Sequence, residues 1–231
     1  MGFNEKVHAY IAAKYHTYLT GKFEERGRRA FIHATQYYAE QRGRRMAQRA
    51  IRDGKELNFT NYYRYGEWVN TQDVKDLGCN NIMKFVKYEP DGELHFTQCP
   101  WATQFHEMGL NNTAGAEYCR HLDNSIVRGY NPYLTYEVDQ TIETEDYCIH
   151  RMGPVDFDEN TDLSKKPENL RDFEYHCAHS YWAYNEVTAA IFGAEGMGVN
   201  AQVLADLAAD YGQDMADTLM KYKDTNFNVC D

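Results

Sequence analysis

Four short stretches of this chain hold residue types able to do chemistry. "YCRHLD" places Cys119 and Asp123 four positions apart. On a helix that spacing puts both on one face. A carboxylate raises a neighbouring thiol's pKa, so Asp123 is suited to orienting a histidine, accepting a proton or sharing a metal. "DYCIHRM" alternates Cys148 and His150 with Ile149 and Arg151. In a strand the first two point to one face and the last two to the other. A histidine near a cysteine draws the thiol pKa toward neutrality, and the two together reach a common ligand or metal. "EYHCAHSYW" sets His176 and His179 one helical turn apart, a spacing that can hold a metal or flank a substrate. Cys99 precedes Pro100 where a strand gives way to a helix, and free backbone N–H groups at a helix start acidify a thiol. Each pattern also has a plain alternative: a buried thiol beside a surface carboxylate, a half-buried strand, hydrogen-bonded core histidines. Cys177 and Tyr181 read as core, and Cys79 and Cys230 have no assigned role.

The elements that must position these residues follow from apolar spacing. Residues 4–20 read as a helix, "TGKFE" interrupts it, and 23–52 read as a long helix ending before Gly54. Gly27 and Gly43 weaken that helix without forbidding it. Arg42, Arg45, Arg49 and Arg52 share a face roughly 80° wide. They form either a solvated face or an anion-binding strip over a substrate carboxylate. Residues 55–75 suit short helices or loops. "IMKFVKYEPDGELHFTQ" at 82–98 is a hairpin turning at Pro-Asp-Gly. Pro100 opens a helix with Trp101, Phe105 and Met108 inward, and 114–129 form another. "YLTYEVDQTI" and "DYCIHRMG" are two antiparallel strands around "ETED". Residues 154–170 are polar, a surface connection or lid. Two helical stretches follow from 171, with "GAEGMG" as the loop between them.

Helices, then four strands with inserted helices, then helices make an α+β fold, with terminal helices packed on a small, mostly antiparallel sheet. The expectation is one domain over 1–231: a helical part at 1–75, a sheet with inserted helices at 76–153 and C-terminal helices at 154–231. The 231 residues suffice for a real core. An aromatic content of 14%, with 19 tyrosines, suits packed amphipathic pockets and not disorder. A net charge of −11 disfavours nucleic acid as a partner. No window supplies the roughly 20 apolar residues of a membrane span, and the N-terminus lacks a signal-peptide core. Six cysteines without a Cys-x-x-Cys pair suit a reducing cytoplasm. Dinucleotide, P-loop, zinc-protease and serine-hydrolase motifs are absent from the sequence.

The residues carry a resemblance. Cys99–Pro100, Cys119 with Asp123, Gly129–Pro132 and a strand pair closing on Cys148 and Arg151 resemble the L-2-amino-thiazoline-4-carboxylic acid hydrolase family. "QRGRRMA" and "EYHCAHSYW" resemble its N- and C-terminal helices, so the likeness spans roughly 23–231. The turn "ETEDY" departs from the Gly-Asp the family often has there. The resemblance implies a hydrolase that opens a small carboxylated cyclic amidine at a C–N or C–S bond. It implies a catalytic set of Cys119, Asp123, Cys148 and His179, with Cys119 or Cys148 as thiolate nucleophile or metal ligand and Asp123 and His179 handling protons. Arg151 would clamp the carboxylate, with Cys99, His176, His150 and Asn131 also around the substrate. A more distant resemblance is to the four-vinyl-reductase domain, a small-molecule-binding fold. It implies a non-catalytic sensor-like protein whose Cys119, Cys148 and Glu137 hold zinc or, with Gln140 where a middle cysteine is expected, no metal; an accessory subunit of a larger enzyme is a third reading. The partner expected is a small-molecule substrate, and the broad helical surface leaves room for a homodimer.

Overall fold

The computed structural model describes residues 2–230. Helix α1 (Glu5–Arg52) opens at Asn4, whose side chain accepts hydrogen bonds from the Lys6 and Val7 backbone N–H groups. It is two helices joined at Glu24, where φ is 51°, inside the predicted interruption. A Cβ on Gly27 would lie 1.9 Å from the Leu19 carbonyl oxygen, so the joint folds back tightly and only glycine fits. Two short helices follow, α2 (Phe59–Arg64) and α3 (Gln72–Asp76). The hairpin β1 (Ile82–Lys87) and β2 (Gly92–Gln98) turns as expected, and α4 (Pro100–Glu107) starts on Pro100. A π-helical turn, Asn111–Gly115, runs into α5 (Ala116–Tyr130). β3 (Tyr136–Gln140) and β4 (Cys148–Met152) complete an antiparallel sheet of order β1-β2-β4-β3.

The C-terminal part is α6 (Phe173–Tyr211) and α7 (Gln213–Lys221). "GAEGMG" is not a loop: only Gly193, with φ 57°, leaves helical geometry, and helix resumes at once. The architecture is α+β, as the order of elements predicts. Among the described residues no helix is long and apolar enough to cross a membrane.

Helix α5 lies between α1 and the sheet. Against α1 it comes so close that a Cβ on Gly43 would sit 2.0 Å from the Ile126 carbonyl, and one on Gly129 would sit 2.4 Å from the Glu40 carbonyl. Toward the sheet, Val127 packs with Leu94, Val138 and Met152. The larger core gathers Ile11, Tyr15 and Phe31 of α1 with Phe105, Tyr118, Tyr184 and Leu207. Between α5, the inner sheet face and the far limb of α1, a space remains.

Candidate active site

That space is a cavity of about 430 Å³, within the range of small-molecule sites. Six parts of the chain wall it. Arg42 and Met46 come from α1; Tyr62, Tyr63 and Trp68 from α2 and the turn after it; Cys119, Leu122, Asp123 and Ile126 from α5. Leu94, Phe96, Tyr136, Cys148 and His150 come from the sheet, and Lys165 from the connection before α6. Cys99 and Trp101 close the end at α4.

Strand alternation decides which β4 residues reach it. Cys148 and His150 are buried on the inner face, while Arg151 lies on the outer face. Arg151 pairs there with Asp139 at 2.9 Å and Glu93 at 3.8 Å. The expectation that Arg151 clamps a substrate carboxylate is therefore corrected. Cys148 and Arg151 are an odd number of residues apart on a regular strand, so they cannot share a face. Glu137 is exposed on the same outer face of β3, which removes it as a zinc partner of the inward Cys119 and Cys148. Among the described residues no group of three His, Cys, Asp or Glu side chains is arranged to hold a metal. The donors do not fit the zinc expectation.

One wall gathers acid–base groups. His150 Nδ1 lies 2.8 Å from the Tyr136 hydroxyl and 4.0 Å from the Asp123 carboxylate. Burial lowers the His150 pKa, with Asp123 and then Asp139 opposing, so the imidazole is neutral at pH 7. The Cys119 thiol donates to Glu143 Oε1 at 3.6 Å. Cys148 Sγ accepts from the Ile142 N–H at 3.2 Å. Burial pushes the Cys148 thiol up to about 11 and Cys99 up to about 12, although backbone N–H groups at the start of α4 pull Cys99 the other way. Cys119 is raised well above its ordinary value by burial, then by Glu143 and its fellow cysteines. The expected acidification fails because desolvation outweighs the helix terminus at Cys99, and the neutral His150 offers Cys148 no cation. All three are thiols at neutral pH.

Another part of the lining is cationic. The Arg42 guanidinium stands 5.8 Å from the centre of the Trp68 ring, and its buried Nε has no hydrogen-bond partner. Lys165 Nζ lies 4.5 Å from the same ring and donates to the Trp68 carbonyl. Burial, then the Arg42 charge, lower the Lys165 pKa to about 7. The Trp68 indole N–H is also buried and unpartnered. Of the arginine strip, only Arg42 reaches the cavity. Arg45 and Arg49 are buried on Glu67, at 2.7 and 2.5 Å, and Arg52 pairs with Asp53. The strip is neither a solvated face nor a single anion site: its middle is a buried ion cluster.

Other expectations part from the site. His179 is fully buried in the core, Nε2 at 2.8 Å from Gln41 and the ring stacked on Phe227. His176 Nε2 meets the Glu67 carbonyl at 3.2 Å. Neither lines the cavity, because their face of α6 packs inward on α1 and Glu67. Asn131 ties the chain after α5 to the Leu57 carbonyl at 2.7 Å, a structural bond away from the cavity. Glu143, read only as part of a turn, is the residue the spacing missed. Its side chain is 0% exposed beside Cys119, and burial raises its pKa from 4.5 to about 8. Nothing in "ETED" marks which acid turns inward.

An α+β scaffold gathers cationic groups, a carboxylate, an imidazole and thiols around one small cavity, an arrangement with acid–base capability. The chain belongs to the L-2-amino-thiazoline-4-carboxylic acid hydrolase family, whose model matches residues 4–150. No curated protein and no solved structure shows significant similarity to it. The match begins earlier and ends earlier than the motif resemblance. It contains Arg42, Cys99, Cys119, Asp123, Cys148 and His150, while Lys165, α6 and α7 lie beyond it.

Proposed function

We propose that this chain hydrolyses a small carboxylated cyclic amidine of the 2-amino-thiazoline-4-carboxylate type. The observation that carries the reading is the pair of unpartnered buried donors, Arg42 Nε and Trp68 Nε1, on residues that line one small cavity together with Asp123 and His150. A buried donor without an acceptor is unfavourable until a ligand supplies one. A carboxylate between Arg42 and Lys165 does so and separates two mutually repelling cations. The ring then extends toward Asp123, His150 and Cys119.

Asp123 takes a proton from water as the water oxygen bonds to the carbon between nitrogen and sulfur. The C=N π pair moves to the ring nitrogen, which takes that proton from Asp123 and leaves a neutral hydroxyl on the carbon. Tyr136 and the neutral His150 hold the water and the developing oxyanion by hydrogen bonds. The hydroxyl O–H bond then breaks, its proton passing to Asp123 and its electron pair forming C=O, while the C–S bond breaks, its electron pair leaves on sulfur, and the Cys119 wall supplies that sulfur's proton. The product is an open-chain N-carbamoyl thiol acid. Cys148 and Cys99 shape the wall as neutral thiols.

The test is incubation of the purified protein with L-2-amino-thiazoline-4-carboxylate, following thiol release and the product mass. Asp123→Asn should lower kcat by roughly 100-fold or more. Arg42→Met should raise KM by roughly 10-fold or more, the loss of one charge-assisted pair. No turnover by the wild type at millimolar substrate overturns the reading.

A further inference from the structure

Glu143 stands behind the cavity wall, one residue removed from any substrate. Its carboxyl is packed so closely on the π-helical turn that a Cβ on Gly115 would lie 2.6 Å from it. The Asn111 amide holds its backbone carbonyl at 3.0 Å. Oε1 meets the Cys119 thiol, and Oε2 is buried with no hydrogen-bond partner. The Nε2 atom of His106, on α4, lies 3.6 Å from Oε2, and His106 itself is half exposed. Solvent, His106, Glu143, Cys119 and the cavity thus form one continuous file. π-Helical turns recur at functional sites, and this one provides the glycine-lined slot for the carboxyl.

We propose that Glu143 is a positioning residue that recharges Cys119 with protons drawn from solvent through His106. The proposal rests on the hydrolase reading given above. When the C–S bond breaks, the Cys119 S–H bond breaks and the leaving sulfur gains that proton. The Glu143 O–H bond then breaks and Cys119 regains its proton. His106 passes a proton from water to Glu143, and Asp123, having given the first water proton to the ring nitrogen, releases to solvent the second, taken as the hydroxyl became the carbonyl. Protons balance over the cycle, and no oxidant or reductant enters. Cys119 alone is a poor donor, since burial holds its pKa well above that of an ordinary thiol. Glu143, raised to about 8, is matched to a leaving thiolate of pKa about 8.5. The titratable groups that face Glu143 are His106 from α4, Cys119 from α5, Cys99 before α4 and Cys148 from β4.

Three measurements test the relay. Glu143→Gln should lower kcat by roughly 10-fold or more, leave KM within roughly twofold, and remove the fall in kcat above about pH 8. His106→Gln should slow kcat severalfold in dilute buffer and recover with added imidazole, a rescue that a structural role would not give. Wild-type kcat and pH profile in Glu143→Gln overturn the relay, as does a His106→Gln loss indifferent to imidazole. If the wild type does not open the thiazoline, the substrate reading fails while the proton coupling is still measured. Iodoacetamide labelling of Cys119, read by peptide mass, should then show a break near pH 8 that Glu143→Gln abolishes. A wild-type labelling profile without that break overturns the coupling itself.

Discussion

Glu143 shows how one buried side chain ties stability to pH. Its pKa is raised in the folded protein because burial disfavours the carboxylate, and the Cys119 hydrogen bond only partly opposes this. The unfolded chain gives up the proton near pH 4.5, whereas the folded chain holds it to about pH 8. The stabilisation from this group is therefore fully present below about pH 4.5 and is lost as pH rises toward 8. Wild-type Tm should fall by several degrees between about pH 5 and about pH 8, and Glu143→Gln should remove most of that fall. An equal decline in both proteins would place the pH sensitivity elsewhere. At this scale, alternation made the inward Cys148 and His150 legible in the sequence, as helical spacing did Cys119 and Asp123. Arg42 was legible only as one of four equivalent arginines. Which of the four meets the cavity depends on Glu67, 25 residues beyond Arg42, capturing Arg45 and Arg49. That pairing is tertiary and leaves no local pattern.

The elements stand where glycines let them approach. Gly43 in α1 looks like a flaw in a helix if judged by propensity alone. In the fold it is a contact point: an added Cβ would meet the Ile126 carbonyl at 2.0 Å and the Tyr130 nitrogen at 2.7 Å. Both are backbone atoms, so no side chain can turn aside and α5 itself must move. Gly43→Ala should destabilise by about 1–3 kcal/mol despite alanine's better helix propensity. Because α5 carries Cys119 and Asp123, activity should fall with it. Gly21→Ala, in the same helix with nothing within 4 Å of the new Cβ, should be neutral or stabilising by up to about 1 kcal/mol. Thermal unfolding of both variants decides this; equal Tm values would mean that the α1–α5 approach does not depend on Gly43. The helices, the hairpin and the strand pair were readable because their apolar periods are regular. The helical stretch after Gly193 was not, because "GAEGMG" has loop composition and only packing keeps it helical. A Cβ on Gly196 would lie 2.3 Å from the Thr188 carbonyl across that joint.

At the scale of the molecule, the cationic wall is assembled from segments far apart in the chain. Arg42 comes from α1, Trp68 from the turn after α2, and Lys165 from the polar connection before α6. That connection is fastened rather than loose. The Lys166 N–H donates to the Arg64 carbonyl at 3.0 Å, Arg64 Nε donates to the Asp162 carbonyl at 2.9 Å, and the Arg171 N–H donates to the Glu67 carbonyl at 2.8 Å. Gly66 makes room for the lysine, since a Cβ there would lie 2.9 Å from Lys165 Cε. Lys165 titrates near pH 7 because burial and the Arg42 charge disfavour its ammonium form. Below that pH two cations await a carboxylate; above it only Arg42 remains. KM for the carboxylated substrate should therefore rise as pH increases through about 7, while a carboxamide analogue should show no such rise. In Lys165→Met the KM should be high at every pH and its dependence near pH 7 should flatten. In Arg42→Met the KM should be higher still, with the pH-dependent step retained and shifted upward, because the repulsion that depresses Lys165 is gone. A wild-type KM that is flat through neutral pH would remove Lys165 from substrate binding and leave Arg42 to hold the carboxylate alone.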